Sequence, residues 1–130
     1  MIALDTNVLV RYIVQDDPAQ AVKANRAIAK LTPDSPGFIS SIVLCEFNWV
    51  LRTSFNVHRN DCVEILDRIT SVPVFEIEHH DCCRKALHAC KKGRADFSDY
   101  LIREIALVSG CTAVLTFDNM ALKEDGFQKP

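Results

Sequence analysis

Long apolar runs are missing from this 130-residue chain. Nothing approaches the ~18 to 20 consecutive apolar residues that a membrane span requires, so no spanning helix is expected. Glycine and proline are sparse, with 4 and 5 residues, and no polar low-complexity tract occurs, which argues against a disordered, collagenous or linker protein. An excess of one charge is missing too: 15 basic against 17 acidic residues leave a formal net charge of −2. With no global positive field, any contact with nucleic acid has to come from a local patch. The six cysteines include no CxxC pair, and several lie in helical apolar patterns. Disulfide frameworks serve small secreted chains without a core, so reduced thiols acting as small hydrophobes are expected here. Asp5 interrupts the N-terminus before any secretory apolar region forms, and a cytoplasmic protein is expected. What remains is a hydrophobic content of 48%, enough for one globular domain spanning residues 1–130 with a real core.

The patterning alternates strands and helices. Residues 1–4 read as a short buried strand ending at Asp5, and residues 37–40 as a second one announced by Pro33, Pro36 and Gly37. Between them, residues 19–31 carry helix formers with Ala21, Val22, Ile28 and Leu31 roughly on one face. A stronger helix is expected over 41–55, striped by Val43, Phe47, Val50 and Leu51, with weaker helices over 60–69 and 81–91. Residues 72–77 read as an edge-like strand around Pro73, 97–108 as an apolar-striped helix, and 112–117 as a strand of β-branched and apolar residues. Such alternation favours an α/β/α sandwich with a mostly parallel sheet and right-handed crossovers. Ligands of these sheets sit beyond the carboxyl ends of the strands, where Asp5 and Asp118 fall.

Carboxylates recur where apolar residues would be expected. Glu46 is three residues after Val43 and four before Val50, which puts it on or beside the apolar stripe, and Asp99 stands likewise to Ile102 and Ala106. A buried carboxylate must protonate, meet a cation or bind a metal, and neither stripe offers an obvious Lys or Arg. Gathering Asp5, Glu46, Asp99 and Asp118, with Asp96 as a fifth member, would concentrate like charge that makes sense chiefly with cations present. Donors that are all hard oxygens favour Mg²⁺ or Mn²⁺ over zinc, and phosphoryl transfer is the common use. Each acid also has an ordinary role open to it. Asp96 with Asp99 three residues on could be a helix N-cap and its acidic N3 residue, Asp5 could be another N-cap, and Asp118 could be a turn residue after a strand.

Four segments carry a resemblance: Ile2-Ala3-Leu4-Asp5-Thr6-Asn7-Val8-Leu9, Ile39-Ser40-Ser41 leading to Glu46, Ala95-Asp96-Phe97-Ser98-Asp99-Tyr100-Leu101-Ile102, and Leu115-Thr116-Phe117-Asp118. In order and spacing they resemble PIN-domain proteins over nearly the whole chain, most of all the VapC-type toxins of bacterial toxin–antitoxin pairs. The resemblance implies a metal-dependent endoribonuclease on an α/β/α sandwich. It implies Asp5, Glu46 and Asp99 as an acidic triad, Asp118 as a fourth carboxylate and Asp96 as an additional one, holding one or two Mg²⁺ or Mn²⁺ ions. Thr6, Asn7, Ser41 and Thr116 then fall where hydroxyl or amide groups orient those carboxylates. The mechanism implied is in-line attack of a metal-activated water on an RNA phosphodiester, without a histidine base.

RNA would be held by Arg11, Lys91, Lys92 and Arg94, although Lys91 and Lys92 equally suit a helix C-terminus. A VapB-type antitoxin and a homodimer are the expected partners. Trp49 and Phe55 suggest a self-association face or an antitoxin groove, with core packing the expected use of each. A zinc site in His79-His80-Asp81-Cys82-Cys83 is disfavoured, because contiguous residues point in different directions. Rival readings are a non-catalytic PIN scaffold that only binds partners and a receiver-like phosphotransfer module. The latter lacks its acidic pair after the first strand and its Lys after the last. A dehalogenase-type phosphatase would want a second Asp where Asn7 stands.

Overall fold

The computed structural model describes residues 1–130. The chain is of the α/β class, helices dominate, and every pairing within its sheets is parallel. It divides into two compact units, Met1–Glu78 and His79–Pro130.

The first unit opens with β1 (Ile2–Ala3) and α1 (Thr6–Val14), continues through α2 (Pro18–Ala29), β2 (Gly37–Ile39), α3 (Ser41–Ser54) and α4 (Arg59–Ile69), and ends with β3 (Phe75–Ile77). Its sheet has the order β1-β2-β3, with Ile2 opposite Gly37 and Gly37 opposite Phe75. The central strand carries Gly37 because space is short: an added Cβ would lie 2.8 Å from Leu31 Cδ1 and 3.0 Å from Leu4 Cδ1. Helix α1 packs on α2 and α3, and α3 on α4. The core gathers Leu9, Ile39, Leu44, Phe47, Leu51 and Leu66, all with no solvent exposure.

Several expectations are corrected in this unit. No helix was expected over 6–14, where β-branched residues crowd the sequence, yet α1 forms there and buries Leu9 and Val10. The buried face of α2 is Ala21, Ala24 and Ile28, leaving Val22 exposed. On α3 Phe47 and Leu51 are buried as expected, but Ser41, Leu44 and Asn48 join them in place of Val43 and Val50, which are half-buried, and both Glu46 and Trp49 are exposed. Trp49, at 62% exposure, is not a core residue. The buried polar residues of α3 are Ser41 and Asn48.

The second unit comprises α5 (His80–Lys92), α6 (Phe97–Val108), β4 (Val114–Leu115), a 3₁₀ turn (Ala121–Lys123) and β5 (Phe127–Gln128). Helices α5 and α6 pack together, and β4 pairs with β5 rather than closing a single sheet with β1 to β3. Buried side chains of α5 and α6 include Cys82, Cys83, Ala86, Leu87, Cys90, Phe97, Tyr100 and Leu101. Ile102 is exposed and Ala106 only half-buried, so the α6 stripe differs from the expected one. All six cysteines are thiols, four of them buried. No helix is long and apolar enough to cross a membrane.

Candidate metal-binding carboxylates

All six α-helices begin at a residue whose type can cap, and they use it differently; His79, before α5, makes no side-chain cap. Asp17 accepts the Gln20 N–H at 3.1 Å, Ser40 accepts the Val43 N–H at 3.2 Å, and His58 Nδ1 accepts the Asn60 N–H at 3.2 Å. Asp5 and Asp96 occupy the same position on α1 and α6 with extended backbone, φ −81° and −75°, but neither side chain caps its helix. A side-chain cap is typically worth about 1 kcal/mol. Neither aspartate makes that bond.

In the first unit, Asp5 follows β1 and stands exposed at a cavity of about 290 Å³ lined by Ala3, Leu4, Asp5, Phe38, Ser40 and Val43. This cavity lies at the carboxyl ends of β1 and β2, where such sheets take ligands. Glu46, three residues beyond Val43 on α3, is exposed, so the burial expected to force it toward a cation is not its situation. Thr6 Oγ1 is buried with no hydrogen-bond partner. Asn7 is exposed beside a second cavity, of about 250 Å³, between α1 and α2. Ser41 turns to Glu78 rather than to a candidate carboxylate: its N–H donates to Glu78 Oε1 at 2.9 Å, and its hydroxyl to the Glu78 carbonyl at 3.5 Å. Glu78 follows β3 as Asp5 follows β1, and that strand-end placement is the sequence signal for it. Arg11 is engaged within its own unit, 3.0 Å from Asp16 and 2.6 Å from Gln20.

In the second unit, Asp99 is half-buried at the third position of α6 and accepts the Asp96 backbone N–H. This is half of a capping box, the N3 residue reaching back while the N-cap side chain does not reciprocate. Burial raises the Asp99 carboxyl above its ordinary range; the Asp118 and Asp96 charges push the same way, and the bond from Asp96 opposes them. Asp118 performs the turn role open to it, its Oδ1 accepting the Ala121 N–H at 2.9 Å. Thr116 Oγ1 accepts the Asp118 backbone N–H at 3.0 Å, holding the turn rather than the carboxylate. Lys91 and Lys92 occupy the last turn of α5, where cations favour a helix C-terminus, and both are exposed, as is Arg94. Of the His79–Cys83 stretch, His80 and Asp81 are exposed while Cys82 and Cys83 are buried, so these groups diverge.

The donor set of the second unit suits a hard divalent cation. Asp96, Asp99 and Asp118 are oxygen donors in electrostatic contact, and no cation is among the charges that act on Asp99. No set of three or more His, Cys, Asp or Glu side chains is drawn together closely enough to hold an ion. Preparation for charge is present, and a closed ligand cage is not.

No curated protein matches the chain at a significant level. The family profile of the PIN domain matches residues 2–125. PIN domains are generally nuclease-like and usually bind divalent metals. Since the match takes in nearly the whole sequence and both compact units, the chain belongs to the PIN domain family.

Proposed function

We propose that this chain is a divalent-metal-dependent endoribonuclease and the toxin of a VapBC-type pair. The observation that carries this reading is the pair of aspartates at helix starts, Asp5 and Asp96, that do not cap, while Asp17 on the same chain does. The like-charge stress on Asp99 points the same way.

The residues proposed to hold one or two Mg²⁺ or Mn²⁺ ions are Asp5 and Glu46 in Met1–Glu78, and Asp96, Asp99 and Asp118 in His79–Pro130. When bound, such an ion supplies positive charge for phosphodiester oxygens and lowers the pKa of water. The chain's own contributions are positional. The Asp96 N–H holds the Asp99 carboxylate, and the Thr116 hydroxyl and Ala121 N–H hold the Asp118 turn. Lys91, Lys92 and Arg94 offer local positive charge to an RNA backbone in a molecule whose net charge is −2. Arg11 would first have to leave Asp16. A VapB-type antitoxin and a homodimer complete the proposal.

Incubating the purified chain with a panel of single-stranded and looped RNAs, with Mg²⁺ or Mn²⁺ and with EDTA, tests the activity. Metal-dependent internal cleavage is expected. Cleavage that persists in excess chelator, or none with any metal, overturns the reading. Growth arrest on expression, relieved by a small adjacent reading frame, tests the toxin role, and light scattering tests the dimer.

A further inference from the structure

The second unit contains a polar clasp that joins the segments on either side of its aspartates. Glu124 follows the 3₁₀ turn whose Ala121 N–H Asp118 accepts, and its Oε1 accepts the Arg94 N–H at 2.9 Å. The same carboxylate accepts the Tyr100 hydroxyl, and that hydroxyl oxygen accepts the Ala95 N–H at 3.3 Å. Tyr100 is 1% exposed, so its hydroxyl has little room to find another partner. Arg94 and Ala95 immediately precede Asp96, while Tyr100 immediately follows Asp99.

Two further features show that the clasp is built in. Gly93 has an extended φ of −107°, which any residue could adopt, so its smallness is used for space. A Cβ there would collide with the Tyr100 hydroxyl and with Glu124 Oε1. On the next turn of α6, the Arg103 guanidinium lies 5.0 Å from the Tyr100 ring centre and 5.9 Å from that of Phe127, and donates to the Asp125 carbonyl at 3.0 Å. Asp118 tightens its own turn by accepting the Leu122 N–H at its carbonyl, 3.0 Å away.

We propose that Glu124 is a positioning residue: with Tyr100, and in the space that Gly93 leaves, it fixes the Asp118 turn against the start of α6 and thereby sets how tightly Asp96, Asp99 and Asp118 hold a divalent cation. The proposal rests on the metal-dependent reading above. A carboxylate suits the role because it accepts only, and both the Arg94 N–H and the Tyr100 hydroxyl need an acceptor. The Arg94 N–H first, and the Tyr100 hydroxyl next, hold the Glu124 carboxyl below its ordinary range.

The test uses the full chain as wild type, Glu124→Ala, Glu124→Gln and Tyr100→Phe. Mn²⁺ affinity is measured by calorimetry, exchange of the Arg94 and Ala95 amide protons by NMR, and RNA cleavage as kcat and KM. Glu124→Ala and Tyr100→Phe are expected to weaken Mn²⁺ binding by about 10- to 100-fold, the scale of lost outer-shell support. They should speed exchange of both amides and lower kcat with little change in the KM for RNA. Glu124→Gln keeps an oxygen for the Arg94 N–H and should restore most of the loss. Should Glu124→Ala not fold, Tyr100→Phe still decides, since it removes the hydroxyl from the clasp. Wild-type Mn²⁺ affinity in folded Glu124→Ala or Tyr100→Phe overturns the positioning role and leaves the nuclease reading standing. A wild-type chain that binds no Mn²⁺ overturns both.

Discussion

In Met1–Glu78 the candidate carboxylates Asp5 and Glu46 face solvent, whereas in His79–Pro130 Asp99 is half-buried and stressed by Asp118 and Asp96. The backbone beneath them differs in the same sense. Around Asp5 and Glu46 the chain is held by strand ends and by the part-buried Ser41–Glu78 bonds. Around Asp96, Asp99 and Asp118 it is held by polar bonds that begin within a residue or two of each acid. Like charges brought together in a partly desolvated place repel more strongly than charges in water, and something must offset that cost for the fold to persist. The second unit meets it with local hydrogen bonds; the first avoids it by exposure.

The largest expected effect tests whether this difference matters to chemistry. Asp5→Asn and Asp99→Asn should each lower RNA cleavage by roughly 10²- to 10³-fold, the scale of losing one group that stabilises transition-state charge. Their effects on stability should part company. In metal-free buffer, Asp99→Asn removes a repelling, partly buried charge and keeps an oxygen for the Asp96 N–H, so its melting temperature should match or exceed wild type. Asp5→Asn changes an exposed group and should leave melting nearly unchanged. Near-native cleavage by either variant would remove that residue from the proposed site, and equal melting shifts would erase the distinction between the units.

Glycines sharpen the comparison at the next scale. Gly37 meets the ends of two leucines, which are flexible and can yield, whereas Gly93 meets a buried phenol and its carboxylate partner. Alanine reduces the entropy of the unfolded chain at either site, so steric cost decides the outcome. Gly93→Ala should destabilise by about 1–3 kcal/mol, as overpacking does, and should open the clasp. Gly37→Ala should cost less and leave Mn²⁺ affinity unaltered. Urea titrations of both variants check the order, and a costlier Gly37→Ala would reverse it.

How far the sequence already revealed this arrangement depends on how local each signal was. Helix α6 was legible to the residue, because the acidic start at Asp96 and the apolar content of 97–108 are both local. Helix α1 was not, because Val8, Val10, Ile13 and Val14 have weaker helix propensity, and packing on α2 and α3 supports the helix instead. The α3 stripe was half legible: Phe47 and Leu51 are buried, but Leu44 and Asn48 take the places expected of Val43 and Val50, and that shift leaves Glu46 and Trp49 exposed. The five candidate acids stand out in the sequence because carboxylates are conspicuous at strand ends and on apolar helices, although Glu46 lies exposed. Glu124, Tyr100 and Gly93 give no such signal, because their relation exists only once distant segments meet.

The smallest expected effect concerns pH, and it sets Asp99 and Glu124 against each other within one unit. The Asp99 carboxyl is raised, so the folded state binds its proton more readily than the unfolded state does. Its contribution to stability is therefore fully present below the unfolded value and is lost as pH rises through the folded one. Glu124 is lowered, so its contribution is present above the unfolded value and is lost as pH falls through the folded one. Thermal melts in metal-free buffer between about pH 3 and 7, bracketing the ordinary carboxylate range, separate the two. Relative to wild type, Asp99→Asn should gain stability as pH rises across that range, whereas Glu124→Gln should lose it. Tyr100, pushed up to about 12 by burial and then by its bond to Glu124, extends the test to alkali. Its contribution is present below the ordinary tyrosine value and disappears as pH rises through about 12, so Tyr100→Phe should lack that late loss. Parallel pH profiles for Asp99→Asn and Glu124→Gln would mean that the second unit does not oppose a repelling carboxylate with a stabilised one, and the contrast with Met1–Glu78 would then reduce to exposure alone.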